Sequence, residues 1–159
     1  MFDILPLDFS GMRVLDLFAG SGNVSIEALS RGAAKAILID DSPRSAATIR
    51  DNLLRLDFKD RAQVWIAPVF RSLRKLARSG EIFDLIFVDP PYDKGLVEMS
   101  LKILARAELL DADGRLVVEH SARESVKSRY DKLVLHDQRR YGDTLLSFFK
   151  ADAASPEAP

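Results

Sequence analysis

The sequence predicts an α/β fold, a mostly parallel sheet with helices on both faces and an antiparallel hairpin at the carboxyl end. Three observations lead there. Apolar runs of strand length alternate with longer stretches of helical period between Met12 and Glu119. Runs such as Phe83 to Val88 are apolar almost throughout, as strands covered on both faces require. After Leu133 the pattern changes to two strand-like stretches joined through Tyr141-Gly142-Asp143, a hairpin signal. Strands separated by helices imply right-handed crossovers and parallel pairing.

The elements follow in order. Met12 to Leu17 is a short apolar strand between Gly11 and the glycine-rich Ala19-Gly20-Ser21-Gly22. Asn23 to Arg31 carries apolar positions at helical spacing, and Gly32, tolerant of positive φ, ends it. Ala36 to Asp40 reads as a strand. Ser42 to Leu56 reads as a helix with Ser42 at the N-cap and Pro43 at its first position. Ala62 to Ala67, Phe83 to Val88 and Arg115 to Glu119 are the next strands, with helices over Phe70 to Arg78 and Leu96 to Ala107 between them. Leu133 to Arg140 and Thr144 to Phe149 form the hairpin. One domain spans residues 1–150, and residues 151–159, drawn from Ala, Pro, Ser, Asp and Glu, read as a disordered tail.

Composition narrows the function. With 159 residues, 47% hydrophobic and 30% charged, the chain has the balance of a single soluble globular domain. No apolar run approaches the roughly 18 residues of a membrane span, and Met1 to Ser10 shows no signal-peptide pattern. The absence of cysteine excludes a disulfide framework and thiolate metal sites, so a cytoplasmic protein is the simplest expectation. The 23 basic against 24 acidic residues give a net charge of −1, which is not the footprint of a protein that grips nucleic acid by overall positive charge. A nucleic-acid partner would need a local patch or a segment outside this sequence.

Two constellations carry chemistry. The first is Asp16-Leu17-Phe18-Ala19-Gly20-Ser21-Gly22, a strand end, a glycine-rich turn and a helix start, placed where open α/β sheets bind ligands. Glycines there let the backbone approach a ligand closely. Asp40 ends the second strand about 20 residues on, where a carboxylate accepts hydrogen bonds from ribose hydroxyls. A dinucleotide reader would carry a third glycine, but Ser25 stands at that place. Asp16 would repel a pyrophosphate yet suits an ammonium group. The combination favours S-adenosylmethionine over a nicotinamide cofactor; the bland alternative is a tight turn with no ligand.

The second constellation is Asp89-Pro90-Pro91-Tyr92, immediately after the fourth strand and facing the same cleft. It suits a planar exocyclic amine, a poor nucleophile because its lone pair is delocalised. The Asp89 carboxylate and the Pro90 carbonyl would accept its two N–H hydrogens and aim the lone pair at a methyl group. The prolines fix the loop and lack competing N–H donors. Tyr92 would stack on a flipped base. Catalysis would be orientation and electrostatics, without metal or covalent intermediate. The alternative here is a proline-stiffened turn with an exposed tyrosine.

Leu15 to Gly22, Glu27-Ala28-Leu29-Ser30-Arg31-Gly32, Phe87 to Tyr92 and Tyr141-Gly142-Asp143-Thr144 together resemble the bacterial 16S rRNA (guanine-N2)-methyltransferase family, whose members methylate guanine 966. The resemblance spans Met1 to Lys150 with the motifs in order. It implies a Rossmann-like class I methyltransferase fold with a seven-stranded sheet whose last strand is reversed, and S-adenosylmethionine as donor. Asp16, Phe18, Ala19, Gly20, Ser21, Gly22, Asp40, Asp41, Val69 and Asp89 would line the donor, and Asp89, Pro90, Pro91 and Tyr92 the target amine. The implied partner is small-subunit ribosomal RNA or the assembled 30S particle, met by a monomer. Relatives carry an arginine-rich segment before the equivalent of Phe2-Asp3-Ile4-Leu5, which this sequence lacks; the resemblance implies that it helps hold RNA and close over the donor. Relatives also usually place Asp or Asn near the adenine where this chain reads Ala67-Pro68-Val69, so that contact comes from backbone or is weaker.

Other features read as structural. Arg71, Arg74, Lys75 and Arg78 share a helix face, and Arg139-Arg140 flanks the hairpin; a solvated surface is the default for both. His120 and His136 lack metal-ligand spacing. Trp65 reads as core, and Glu119 as either a cap or a group reaching the cleft. Alternative functions are adenine-N6 methylation of DNA, glutamine-N5 methylation of protein, and a non-catalytic donor-binding or ribosome-assembly module.

Overall fold

The computed structural model describes Leu5 and residues 7–152. Eight strands and four helices alternate as β1 (Arg13–Leu17), α1 (Asn23–Ser30), β2 (Lys35–Asp40), α2 (Pro43–Arg55), β3 (Ala62–Ile66), α3 (Val69–Ser79), β4 (Phe83–Val88), α4 (Leu96–Ala107), β5 (Leu110–Ser121), β6 (Arg129–Tyr130), β7 (Leu133–Tyr141) and β8 (Thr144–Ala151), with a 3₁₀ turn at Lys59–Arg61. They form one sheet in the order β3-β2-β1-β4-β5-β8-β7-β6. The first five strands pair in parallel, and β8 enters antiparallel between β5 and β7. Among the described residues no helix is long and apolar enough to cross a membrane.

Strand alternation divides the core into two layers. Leu15, Leu17, Ile37, Ile39, Ile86 and Val88 pack with Leu73 and Leu76 of α3 and Leu101 and Leu104 of α4. Val14, Leu38, Leu85, Phe87, Val117 and Leu146 pack on the opposite face with Ala28 and Leu29 of α1 and Ile49 and Leu53 of α2. Ser42 caps α2 by accepting the Ser45 amide at 3.2 Å, with Pro43 behind it as its residue type requires.

Three expectations change. The sheet has eight strands rather than seven, because Arg129–Tyr130 pairs with Val134 and Leu133 at the outer edge. Two residues are too short to leave a periodic signal. Second, β5 begins at Leu110, not Arg115, and its register against β4 is irregular before Leu85. Asp111, Asp113 and Gly114 interrupt the apolar run; a Cβ at Gly114 would lie 2.9 Å from the Asp111 carbonyl and 3.1 Å from that of Asp84. Third, Ala151 belongs to β8, and Asp152 ion-pairs with Arg129 at 2.7 Å, so neither is tail. The rest of that stretch, residues 153–159, and the initial Met1 to Ile4 lie outside the described residues.

Candidate functional site at the carboxyl edge of the sheet

The parity of the strands creates the site. Asp16 follows Val14, Asp40 follows Leu38, Asp89 follows Phe87 and Glu119 follows Val117, each two residues beyond a side chain of the α1/α2 layer. Because β2, β1, β4 and β5 are parallel neighbours, their ends set four carboxyl groups on one face of the sheet, Asp40, Asp89 and Glu119 level with one another and Asp16 two residues farther back along β1.

Each acid is held differently. Asp16 is only 2% exposed, and its Oδ2 accepts a 2.8 Å hydrogen bond from the buried Ser25 hydroxyl of α1. Burial pushes its pKa up to about 7 against the pull of that hydrogen bond, and the neighbouring Asp89 and Asp40 charges add to the rise. Asp40 accepts the Gly20 amide at 2.9 Å on one oxygen and the Ser42 amide at 2.9 Å on the other. It therefore ties the glycine-rich turn to the start of α2. Half-buried Asp89 is raised to about 6, first by desolvation and then by the Glu119 charge.

The turn between β1 and α1 is held by backbone bonds from Ala19 N–H to Ile39 O at 3.0 Å and from Gly22 N–H to Ala19 O at 2.8 Å. Gly22, at φ 77°, sits where a Cβ would come within 3.0 Å of Leu38 Cδ2 and 3.2 Å of Ile49 Cγ1. Beside Gly20 the space is open, with nothing within 4 Å of a notional Cβ. Phe18 adopts φ 59°, rare for a non-glycine residue, and its ring meets Phe70 edge-on at 6.2 Å. Ser21 is exposed and its carbonyl accepts from Asn52 Nδ2 at 3.4 Å; Asp41 is exposed beyond the end of β2. Val69 starts α3 and is buried, and the Pro68 carbonyl before it accepts the Ser72 amide.

The loop after β4 has one backbone bond, from Asp89 N–H to Leu17 O at 3.4 Å, and beyond it is held by side chains. Pro90 is buried, while Pro91 and Tyr92 are exposed. The Tyr92 hydroxyl lies 3.2 Å from Thr144 Oγ1 at the start of β8, and the Asp93 amide, at φ 59°, donates to Glu124 Oε1. Neither Ser25 nor Glu124 was assigned a role from sequence. Ser25 was visible only as a missing glycine, and Glu124 meets Asp93 across 31 positions, which leaves no local signal.

The remaining features divide. His120 is buried between Ser147 Oγ at 2.8 Å and the Ser121 carbonyl at 3.0 Å, a packed structural histidine. Trp65 is half-buried under Lys75, whose Nζ is 4.8 Å from the ring centroid. Arg71, Arg74, Lys75 and Arg78 are exposed. A separate cavity of about 570 Å³ between α3, α4 and β6, lined in part by Arg74, Lys102, Arg106 and Tyr130, shares no residue with this cleft.

A sheet of this order with its reversed β8, and a glycine-rich turn and Asp-Pro-Pro-Tyr at adjacent strand ends, define a class I methyltransferase fold. A family model described as Conserved hypothetical protein 95 matches residues 1–150, and the chain belongs to that family. It is 34% identical over 150 residues to the Bacillus subtilis protein YlbH, assigned by name to the rRNA methyltransferases, covering 94% of this chain and 82% of YlbH. It is 29% identical over 126 residues to Ribosomal RNA small subunit methyltransferase D of Buchnera aphidicola, covering 79% of this chain and 64% of that protein, less than two thirds of its length. The solved structure of Escherichia coli yhhF, assigned by name to the methyltransferases, superposes with a TM-score of 0.82 at 28% identity, over 96% of this chain and 82% of that one.

Proposed function

We propose that this protein transfers a methyl group from S-adenosylmethionine to the exocyclic N2 amine of a guanine in small-subunit ribosomal RNA, free or within a 30S particle. The observation that carries the reading is the row of Asp40, Asp16, Asp89 and Glu119 at adjacent strand ends. Such a surface repels phosphates at its centre and favours a ligand that brings cationic and N–H groups. The names of the Bacillus and Buchnera relatives support an rRNA substrate.

The residues fit the donor. Asp16, held by Ser25, meets an ammonium group, which would keep it ionised although its pKa alone is about 7. Asp40 keeps lone pairs for ribose hydroxyls while fixing Gly20, and Asp41 lies beside it at the rim. Phe18, Ala19, Ser21 and Gly22 shape the turn around the open space at Gly20. The Val69 amide, without an intrahelical acceptor at the first position of α3, takes the adenine contact that Pro68 has no side chain to make.

When bound, the donor supplies an electrophilic methyl group on a cationic sulfur. The chain's own part is to prepare the nucleophile. The Asp89 carboxylate and the Pro90 carbonyl accept the two amine hydrogens and draw the nitrogen toward tetrahedral geometry. As the new N–C bond forms at the expense of the donor's S–CH3 bond, which would leave a neutral thioether, one N–H proton passes to Asp89 and from there to water. Tyr92, steadied by Thr144, stacks on the base, and Pro91 stiffens the loop.

The test is transfer of labelled methyl to small subunits lacking the modification, with Asp89→Ala as control. Label recovered as N2-methylguanine and lost in the variant supports the reading. Silence from the chain, persisting after a relative's arginine-rich N-terminal segment is added, would reject it.

A further inference from the structure

Glu119 is a half-buried carboxylate that the mechanism above leaves idle. It lies two residues before the end of β5, whose Val118 pairs with Val88 of β4, so positions 89 and 119 are level on adjacent parallel strands and share a sheet face. Neighbouring strands are about 4.8 Å apart, which puts the two carboxyl groups within one base edge of each other. The Glu119 charge, second to burial, raises the pKa of Asp89, as this proximity requires. Among the described residues nothing hydrogen-bonds or ion-pairs with the Glu119 carboxylate. Two adjacent carboxylates without donors between them are a costly arrangement that an incoming donor pair would relieve.

Guanine presents such a pair. Its N1–H and N2–H groups point the same way from one edge, whereas adenine offers an N6–H beside the N1 lone pair. Resting on the function proposed above, we infer that Glu119 is the specificity-determining residue of this site, accepting the guanine N1–H while Asp89 engages the N2 amine. Adenine is then refused because its N1 lone pair would face a carboxylate with no proton between them. The discrimination is of the kind that polar sites achieve best, since the wrong base leaves a half-buried group unpaired.

The experiment compares guanine with 2-aminopurine, which keeps the exocyclic amine but lacks N1–H, at the target position of the same small-subunit RNA. The wild-type chain should methylate guanine with a kcat/KM roughly tenfold to a hundredfold above that for 2-aminopurine, as expected for a hydrogen bond to a charged group. Glu119→Ala should remove most of that preference by slowing guanine alone. Glu119→Gln, which can present its carbonyl oxygen to N1–H, should retain part of it. Melting curves and donor binding of both variants must match wild type. If Glu119→Ala slows both bases equally, or leaves the preference intact, the assignment to Glu119 is overturned while the proposed reaction stands. If the wild type methylates neither base, it is the reaction itself that fails.

Discussion

The two loops that form the cleft are anchored in opposite ways. The turn after β1 is stitched by its own amides, which donate to the Ile39 carbonyl and the Asp40 carboxylate, and its acid Asp16 is sealed beneath α1 by Ser25. The loop after β4 is exposed beyond Pro90 and rests on side chains, Thr144 and Glu124, contributed by distant parts of the chain. The first is part of the core; the second is a surface structure set on it. Changes in the donor turn should therefore disturb folding and activity together, whereas changes in the acceptor loop should disturb activity alone.

The largest effect should come from Asp89→Ala. Removing the acceptor of the reacting amine should lower kcat about a thousandfold, the scale of losing one electrostatic group aimed at developing charge. Its melting temperature should not fall, because a carboxyl group raised to about 6, first by burial and then by the Glu119 charge, costs stability once it is ionised at neutral pH. In the wild type, activity should rise as pH increases through about 6, where Asp89 ionises, and level off once Asp16 has ionised near 7. A flat profile between about pH 5 and 8, which spans both values with about one unit on either side, would remove Asp89 from its acceptor role.

Gly22→Ala tests the other half of the comparison. With φ at 77° and Leu38 Cδ2 at 3.0 Å from the new methyl, it should cost about 2 kcal/mol and lower the melting temperature by roughly 5 °C. A variant that melts like wild type would show that the turn is less tied to the core than its contacts indicate.

Asp16→Asn separates folding from binding within the donor turn. The folded protein holds the Asp16 proton more tightly than the unfolded chain between 3.8 and about 7, so wild-type stability falls as pH rises through that window and stays reduced above it. The neutral amide escapes this loss and still offers an oxygen to Ser25. At pH 8 the variant should be more stable by roughly 2 kcal/mol, with little difference at pH 4, yet bind the donor far more weakly. Denaturant titrations at the two pH values, beside calorimetry of donor binding, check both halves.

The smallest change is Tyr92→Phe. Losing one exposed hydrogen bond to Thr144 while keeping the ring should reduce kcat/KM roughly threefold to tenfold and leave melting unaltered. Thr144→Val should match it, and the double variant should be no worse than either alone. Additive losses would mean that the hydroxyls act separately.

The layered α/β order, both constellations and the hairpin are legible in the sequence, because strand alternation, glycine placement and Asp-Pro-Pro-Tyr are local patterns along the chain. Helix bounds for α4 and strand bounds for β4 agree with the residues read from periodicity. What periodicity missed was short or interrupted: the two residues of β6 and the start of β5 before Gly114. Which acids stand together is set by the packing of the strands. Asp40, Asp16, Asp89 and Glu119 are separated along the chain by tens of residues, and their alignment depends on the strand order and on register between neighbours. The unusual ionisation of Asp16, the use of Ser25 in place of a glycine and the support of Tyr92 by Thr144 share that origin. Burial and charge proximity are properties of the packed sheet, and no local stretch of sequence carries them.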